Sequence, residues 1–595
     1  MLTVAPCAGL VILGKLDTGD GPQVEAGRGE RGGKVAGEED IPHSRDRDVR
    51  LLRLLGAMPF LDRIELSQVA GDANQRVYEE IADLTELGVV AGVSHGSPLL
   101  PPARRYYLTR KGVEWLADIN GVSEEEALRR YPVSRRWQRL FLERLDAVGV
   151  IYRVAASVAI VAGGLAGMEW YRSRALDAVV HLPGDRTLGI VRQGATSDRT
   201  GFSKRAWRLG EERGPRTVLV LAPDTVRLRH TRRLMSQFGG LAFVALEEDA
   251  ARADPEDRIW RTPSGGSWLG LPDVLKRGVW QGRTQPEPPL VELRYPDTVE
   301  MPETGLWGPD YLLPALLKPG EKRVLDLLAD WPWITAAELE GLLGVSKMRV
   351  SQLLSRLVEG RLVERKLAGR RRHLGLSDWG LATLARRDRT AVGRLRRQWS
   401  VEMSGGGDDA EWWRRVWGRR SRLLARNLEH TEAVHRFLAR MSRQGKGEGY
   451  RVVQYDPPHR ASRHFRHLGT LRSIHPDAFG MLRWEEEGKE EDVPFFLEWE
   501  RRAVRPGTMA ARLAPYLRYY ASQRPLDDHG AWPLALIVFD DALAEANFLG
   551  VARRELERSR VDVPLWVSHR ELVEDVGPLG KAWRNPDVLE PDYAF

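Results

Sequence analysis

Apolar and polar positions follow the same order in two stretches of the chain, 46–118 and 320–376. In the second, residues 320–331 carry apolar side chains at helical spacing, and 334–343 predict another short helix with Thr335 placed to cap it. After a turn at Gly344-Val345, Ser346 caps a third helix in which Val350, Leu353, Leu354, Leu357 and Val358 make one apolar stripe. Residues 362–367 and 370–376 then read as two short strands around the turn Ala368-Gly369. The first stretch has this layout too, its third helix starting at Asn74 with Val77, Ile81 and Leu84 inward.

A second pattern occupies the C-terminal part. It predicts an amphipathic helix over 423–442, strands at 450–455, 478–484 and 493–499, and a helix over 507–522. The near-continuous apolar run 533–539 reads as a strand buried on both faces, followed by a helix over 542–558 and a strand at 563–568. This alternation predicts an α/β sandwich.

The chain reads as a tandem duplication. Residues 51–66 lie over 324–339 at an offset of 273, with Pro59 over Pro332 and Phe60 over Trp333. Residues 216–224 resemble 533–541, and Trp260-Arg261-Thr262-Pro263 resembles Trp583-Arg584-Asn585-Pro586 at an offset of 323. The second copy therefore holds about 50 extra residues in its later half.

Composition narrows the function classes. At 595 residues the chain needs three to five domains, and 42% hydrophobic with 29% charged residues is a globular balance. A single cysteine, Cys7, excludes disulfide frameworks and cysteine-based zinc sites and fits a reducing, cytoplasmic compartment. The apolar run 154–168 is too short to span a bilayer and reads as a buried helix, so no membrane partner is expected. The N-terminal apolar run lacks a preceding charged region, against a signal peptide, and the Gly- and charge-rich residues 17–39 are expected to be disordered. There is no GxxxxGK[ST] loop, HExxH or dinucleotide fingerprint, against an ATPase or zinc hydrolase.

The overall charge of +7 says little, but residues 347–400 hold fifteen Lys/Arg against four Asp/Glu, a local net of +11. Charge concentrated in this way points to a polyanion such as double-stranded DNA. On the third helix of the second copy, Lys347, Arg349, Ser351, Gln352 and Arg356 face away from the stripe, and the hairpin carries Arg365, Lys366, Arg370, Arg371 and Arg372. Three helices and a basic hairpin resemble the winged helix-turn-helix, which implies base reading by the third helix and phosphate contact by the wing. In the first copy Gln75, Arg76, Arg104 and Arg105 are the corresponding candidates, with Tyr106 and Tyr107 beside the last two. There Glu79, Glu80 and Asp83 repel phosphate, so the module either binds DNA weakly through its wing or serves as a dimer or interdomain surface.

In the second α/β region Asp477 precedes one strand, and Glu498 and Glu500 share one face of another, 21 residues on. They are candidates for a carboxylate cluster holding Mg2+ or Mn2+, with Asp477 and Glu498 as ligands; the alternative is a sheet-end polar cluster. His475 either approaches such a metal or is a turn residue. The pattern resembles the PD-(D/E)xK nuclease superfamily, whose cluster activates water for phosphodiester cleavage with help from a lysine two positions after the acid. Here Glu500 stands at the lysine position, and a carboxylate cannot supply that positive charge; Arg512, on the next helix, is the candidate substitute. The first copy has Asp177 in a similar place but no acidic pair in 188–193, so it is expected to be inactive and structural.

The winged helix together with Glu429-His430, His475-Pro476-Asp477-Ala478, Phe495-Phe496-Leu497-Glu498 and Tyr516, Tyr519 and Tyr520 resembles the replication-relaxation family of bacterial plasmids and mobile elements. The resemblance covers 320–586 best. It implies a DNA-binding protein acting in replication, relaxation or mobilisation, with replication or relaxase proteins as further partners and a homodimer as one possible assembly. Alternatives are a metal-dependent endonuclease or nickase, a possible Mg2+-dependent deoxyribonuclease, and a winged-helix transcription regulator.

The expected fold is thus α+β and multidomain, two winged helix-turn-helix modules alternating with two α/β sandwich, restriction-endonuclease-like modules. The expected boundaries are 1–44 disordered, 45–120 winged helix 1, 130–280 degenerate nuclease-like domain 1, 281–318 linker, 319–400 winged helix 2 and 411–586 nuclease-like domain 2.

Overall fold

The computed structural model describes residues 46–280, 284, 287, 288, 290, 292–302, 307–368, 371–405, 411–486, 489–500 and 505–595. The expected disordered segment 1–44 and Arg370 lie outside the described residues. The chain is a mixed α+β structure.

Each half opens with three helices and a hairpin. In the first these are Asp46–Ala57, Arg63–Ala70 and Asn74–Glu86, then strands Val90–His95 and Ala103–Leu108. In the second they are Pro319–Asp330, Ala336–Leu343 and Lys347–Glu359, then strands Val363–Ala368 and Arg371–Leu376. The local devices repeat at the offset of 273. Asp62 with Glu65 and Thr335 with Glu338 form capping boxes on the second helix, and Gly71 and Gly344 end it in the left-handed conformation. Phe60 and Trp333 both hold positive φ (72° and 69°), a costly state for an aromatic residue, and both are fully buried. Each donates its N–H across to the last hairpin strand, Phe60 to Tyr106 O (2.6 Å) and Trp333 to Leu374 O (2.8 Å).

Each half continues into a sheet with one shared core topology. In the first, strands Gly167–Trp170, Ala178–Leu182 and Arg186–Arg192 run antiparallel, and Thr217–Ala222 and Leu241–Leu246 add in parallel. In the second, Tyr450–Asp456, Ala478–Glu486 and Lys489–Glu500 are antiparallel, and Leu534–Phe539 and Leu565–His569 add in parallel. The bridges Val244 to Arg261 and Val567 to Arg584 fall at the offset of 323, beside the buried Trp260 and Trp583. Part of the extra length in the second copy is a hairpin, Arg463–His467 and Thr470–Ile474, between its first two sheet strands.

In each half the helical unit shares one hydrophobic core with one face of the adjoining sheet, and a separate core covers the other face. The segment expected as a linker, 281–318, packs on both halves where it is described: Arg135 pairs with Asp297 (2.7 Å) and Tyr107 accepts the N–H of Val299 at its hydroxyl (3.1 Å), while Leu313 and Leu317 join the core of the second half. Among the described residues one helix, Leu145–Ala162, is long and apolar enough to cross a membrane, and most of it is buried inside the molecule. It begins earlier than the apolar run 154–168 and stops at Gly163 in the left-handed conformation.

Candidate functional site

The helix Lys347–Glu359 starts at Ser346, whose hydroxyl accepts the N–H of Arg349 (3.3 Å). Val350, Leu353, Leu354 and Leu357 are buried, which leaves Lys347, Arg349, Ser351 and Gln352 exposed. No carboxylate occurs in the helix before Glu359. Arg356 is partly withdrawn, paired with Glu321 (3.2 Å) and stacked on Trp307. On the hairpin Arg365, Arg371 and Arg372 are exposed, Arg371 also reaching Glu432 (3.3 Å), while Lys366 is tied to Glu364. Met348 on the helix (72% exposed) and Leu367 on the hairpin (68%) are exposed apolar side chains among these polar ones, legible in the sequence only as breaks in its polarity.

The first helical unit departs from expectation at its hairpin. Arg76 and Arg104 are exposed, but Arg105, a candidate DNA contact, is 1% exposed. Its guanidinium donates to Glu65 (2.8 and 3.2 Å), to Phe60 O (2.9 Å) and to His95 Nδ1 (3.2 Å). Side chains alternate along a strand, so Arg104 outside puts Arg105 inside. At the hairpin tip Gly96 and Ser97 are buried, and there Lys322 of the second half donates to Gly96 O (2.7 Å) and to Asp146 (2.5 Å). The hairpin thus makes a contact between the two halves of the chain.

In the second sheet, Phe496, Glu498 and Glu500 face the helix Pro506–Tyr520, and Phe495, Leu497 and Trp499 face the opposite core. Asp477, Glu498, Glu500 and Arg512 line one cleft of about 850 Å3 together with His430, His475 and Tyr516. Each carboxylate already has protein partners. Asp477 Oδ2 accepts the N–H of Trp499 (2.8 Å), and Oδ1 lies 2.9 Å from His430 Nε2. Glu498 Oε1 accepts the Tyr516 hydroxyl (2.5 Å), and Glu500 is ion-paired with Arg512. Burial, then the neighbouring Asp477, push the Glu498 carboxyl up to about 8, against the pull of Tyr516 and Arg512. Among the described residues no group of three or more His, Cys, Asp or Glu side chains is placed to hold a metal ion. His475 hydrogen-bonds Ser462 (3.0 Å) and Ser473 (2.8 Å), a turn residue's contacts. Arg512 stands as the counter-ion of Glu500.

The first copy holds the same backbone constellation with other side chains. Asp177 N–H donates to Ile190 O (3.0 Å) and its Oδ2 accepts Arg192 N–H (2.6 Å), as Asp477 does with Leu497 (2.9 Å) and Trp499. Val191 and Gln193 thereby stand where the second copy has Glu498 and Glu500, and Arg205 where it has Arg512. Asp177 pairs with Arg205 (2.7 Å) and with Arg389 from the second half (2.6 Å). Burial opposes its charge, but the two arginines outweigh it and hold the carboxyl well below the usual range. The second helical unit docks here, where Asp388 binds Arg192 (2.9 Å) and Thr196 N–H (2.9 Å).

A scan of family models, a search of curated proteins and a search of solved structures each return no match to this chain.

Proposed function

We propose that this chain binds double-stranded DNA through its second helical unit, acting as a winged helix-turn-helix, and serves a plasmid or mobile element in replication, relaxation or mobilisation. The observation that carries the reading is the exposed, carboxylate-free start of Lys347–Glu359 beside a hairpin bearing Arg365, Arg371 and Arg372. Donors at a helix start suit base edges, the hairpin guanidiniums suit phosphates, and Met348 offers a methyl-sized apolar contact. On this reading the α/β units are restriction-endonuclease-like scaffolds, the first converted to an internal docking surface, and replication or relaxase proteins are the further partners.

The test is a mobility-shift titration over salt. Wild-type protein should show a steep loss of affinity with salt, and R371A/R372A should lower the slope of log K against log salt by roughly one unit per lost phosphate contact. K347A/R349A should weaken binding as well. Unchanged affinity and slope in both variants would overturn the proposal.

A second reading, a metal-dependent nuclease or nickase, is favoured by the shared cleft of Asp477, Glu498, Glu500 and Arg512. Supercoiled plasmid incubated with and without Mg2+ or Mn2+ separates the two. Metal-dependent nicked or linear product that is lost in D477A would establish cleavage, whereas a shift without topological change leaves a binding protein.

A further inference from the structure

A cleft of about 400 Å3 lies where both halves of the chain meet. The first α/β unit contributes Arg199, His230 and Arg233, the second helical unit Arg394, and the second α/β unit Arg463 and Arg524, among others. Eight arginines line it against four aspartates. The aspartates are already committed. Asp198 pairs with Arg394 (2.5 Å), Asp330 and Asp456 with Arg460 (2.5 and 3.1 Å), and Asp528 with Arg233 (2.7 Å) and Arg524 (2.9 Å).

Arg199 and Arg463 have no carboxylate within ion-pair distance among the described residues. Arg463 is only 4% exposed. Its Nη1 donates to the carbonyls of Arg460 (2.6 Å) and Ala461 (2.8 Å), its plane lies over Phe479 and Phe496, and its Nη2 has no acceptor. The buried Nε2 of His230 has no partner either. Burial and the guanidiniums of Arg199, Arg233 and Arg524 push His230 down to about 3, so the imidazole is neutral and available as a hydrogen-bonding group. Burial and Arg233 also lower Arg199. A fold that gathers like charges in a low-dielectric cleft, and leaves guanidinium N–H groups unsatisfied, is held at a cost that an anion would remove.

We infer that this cleft binds a small polyanion carrying several phosphate groups, gripped by Arg199, Arg233 and Arg524 from both halves of the chain, with the buried Arg463 adding its charge from behind. Guanidiniums arriving from separate elements match tetrahedral oxyanions, which offer acceptors in several directions. The volume is in the range of small-molecule pockets and admits more than one phosphoryl group. Because the contributing arginines come from distant segments, an occupant bridges the halves and stabilises their packing by mass action.

The test uses the full chain and calorimetric titration with tripolyphosphate, orthophosphate and chloride at matched ionic strength, with a melting curve for each. Saturable binding of one tripolyphosphate, tighter than orthophosphate and accompanied by a rise in Tm, is the expected result. Arg463→Gln removes a buried group and can impair folding, so the decisive variant is Arg199→Gln at the cleft rim, expected to weaken tripolyphosphate about tenfold. Arg466→Gln, an exposed arginine outside the cleft, should bind as the wild type does. Binding no stronger than the ionic-strength control, or equal affinity in Arg199→Gln, would overturn the proposal. So would an affinity for duplex DNA alone that is lost in Arg199→Gln, since the cleft would then be a nucleic-acid path.

Discussion

Glu498 lies beside Asp477 with its hydroxyl donor Tyr516 above it, and its carboxyl is raised to about 8. A carboxyl that holds its proton more tightly folded than unfolded adds stability that is complete below about pH 4.5 and is lost as pH rises through about 8. The Glu498→Gln variant should therefore gain steadily on wild type as pH rises from about 4 to about 9, its Tm ending several degrees higher relative to wild type than at about pH 4; parallel Tm curves across that range would refute it. Arg105 gives the opposite case, a buried cation fully engaged by Glu65. Arg105→Met should cost about 3–5 kcal/mol in chemical denaturation because it strands that carboxylate, while leaving the salt slope of DNA binding unchanged. The adjacent pair Arg104-Arg105 already contained this outcome in its alternation, but nothing in the sequence says which of the two faces inward.

Helices and strands were legible because their apolar periodicities are strong: the helix expected over 507–522 is Pro506–Tyr520, and the strand at 533–539 is Leu534–Phe539. The helix expected over 423–442 is instead two, Arg419–Arg426 and Leu428–Gly447, broken where Asn427 leaves helical geometry (φ −113°, ψ 45°). The strand expected at 493–499 runs over Lys489–Glu500: its charged first half pairs with Ala478–Glu486 on one side only, ahead of the point where Leu534–Phe539 joins on the other. Gly112 and Gly380 show a close approach that only the packed element explains. A Cβ at either would sit 2.3 Å from a carbonyl oxygen, of Val89 and Leu362 respectively, at the start of the helix after each hairpin. Gly380→Ala should thus destabilise the second helical unit by about 1–3 kcal/mol, and Gly112→Ala the first by a similar amount, read as shifted denaturation midpoints. Equal midpoints to wild type would mean that the helix can slide away freely.

Between the halves, Asp388 binds Arg192 (2.9 Å) and Thr196 N–H (2.9 Å) of the first while pairing with Arg387 (3.0 Å) beside it, and burial is outweighed by Arg387 and Arg192, which hold it ionised. Asp388→Ala leaves two buried guanidiniums without this partner. It should lower stability by about 3–5 kcal/mol and split the calorimetric unfolding trace into separate transitions for the two halves; a single transition at the wild-type Tm would show that the apolar contacts alone couple them.

Periodicity, capping residues and the offsets of 273 and 323 were enough to predict the repeated order of elements, since these follow from spacing along one chain. The sequence also placed Asp477, Glu498, Glu500 and Arg512 in one neighbourhood, because strand alternation and a short connection carry them there. Only the tertiary structure decided that Tyr516 and Arg512 occupy the carboxylates, that Arg105 is buried, and that Arg389 and Asp388 fill the first copy's pocket across more than 190 residues of sequence. Those outcomes depend on which charges burial forces together, and a charged side chain is soluble until its partner arrives from another part of the chain.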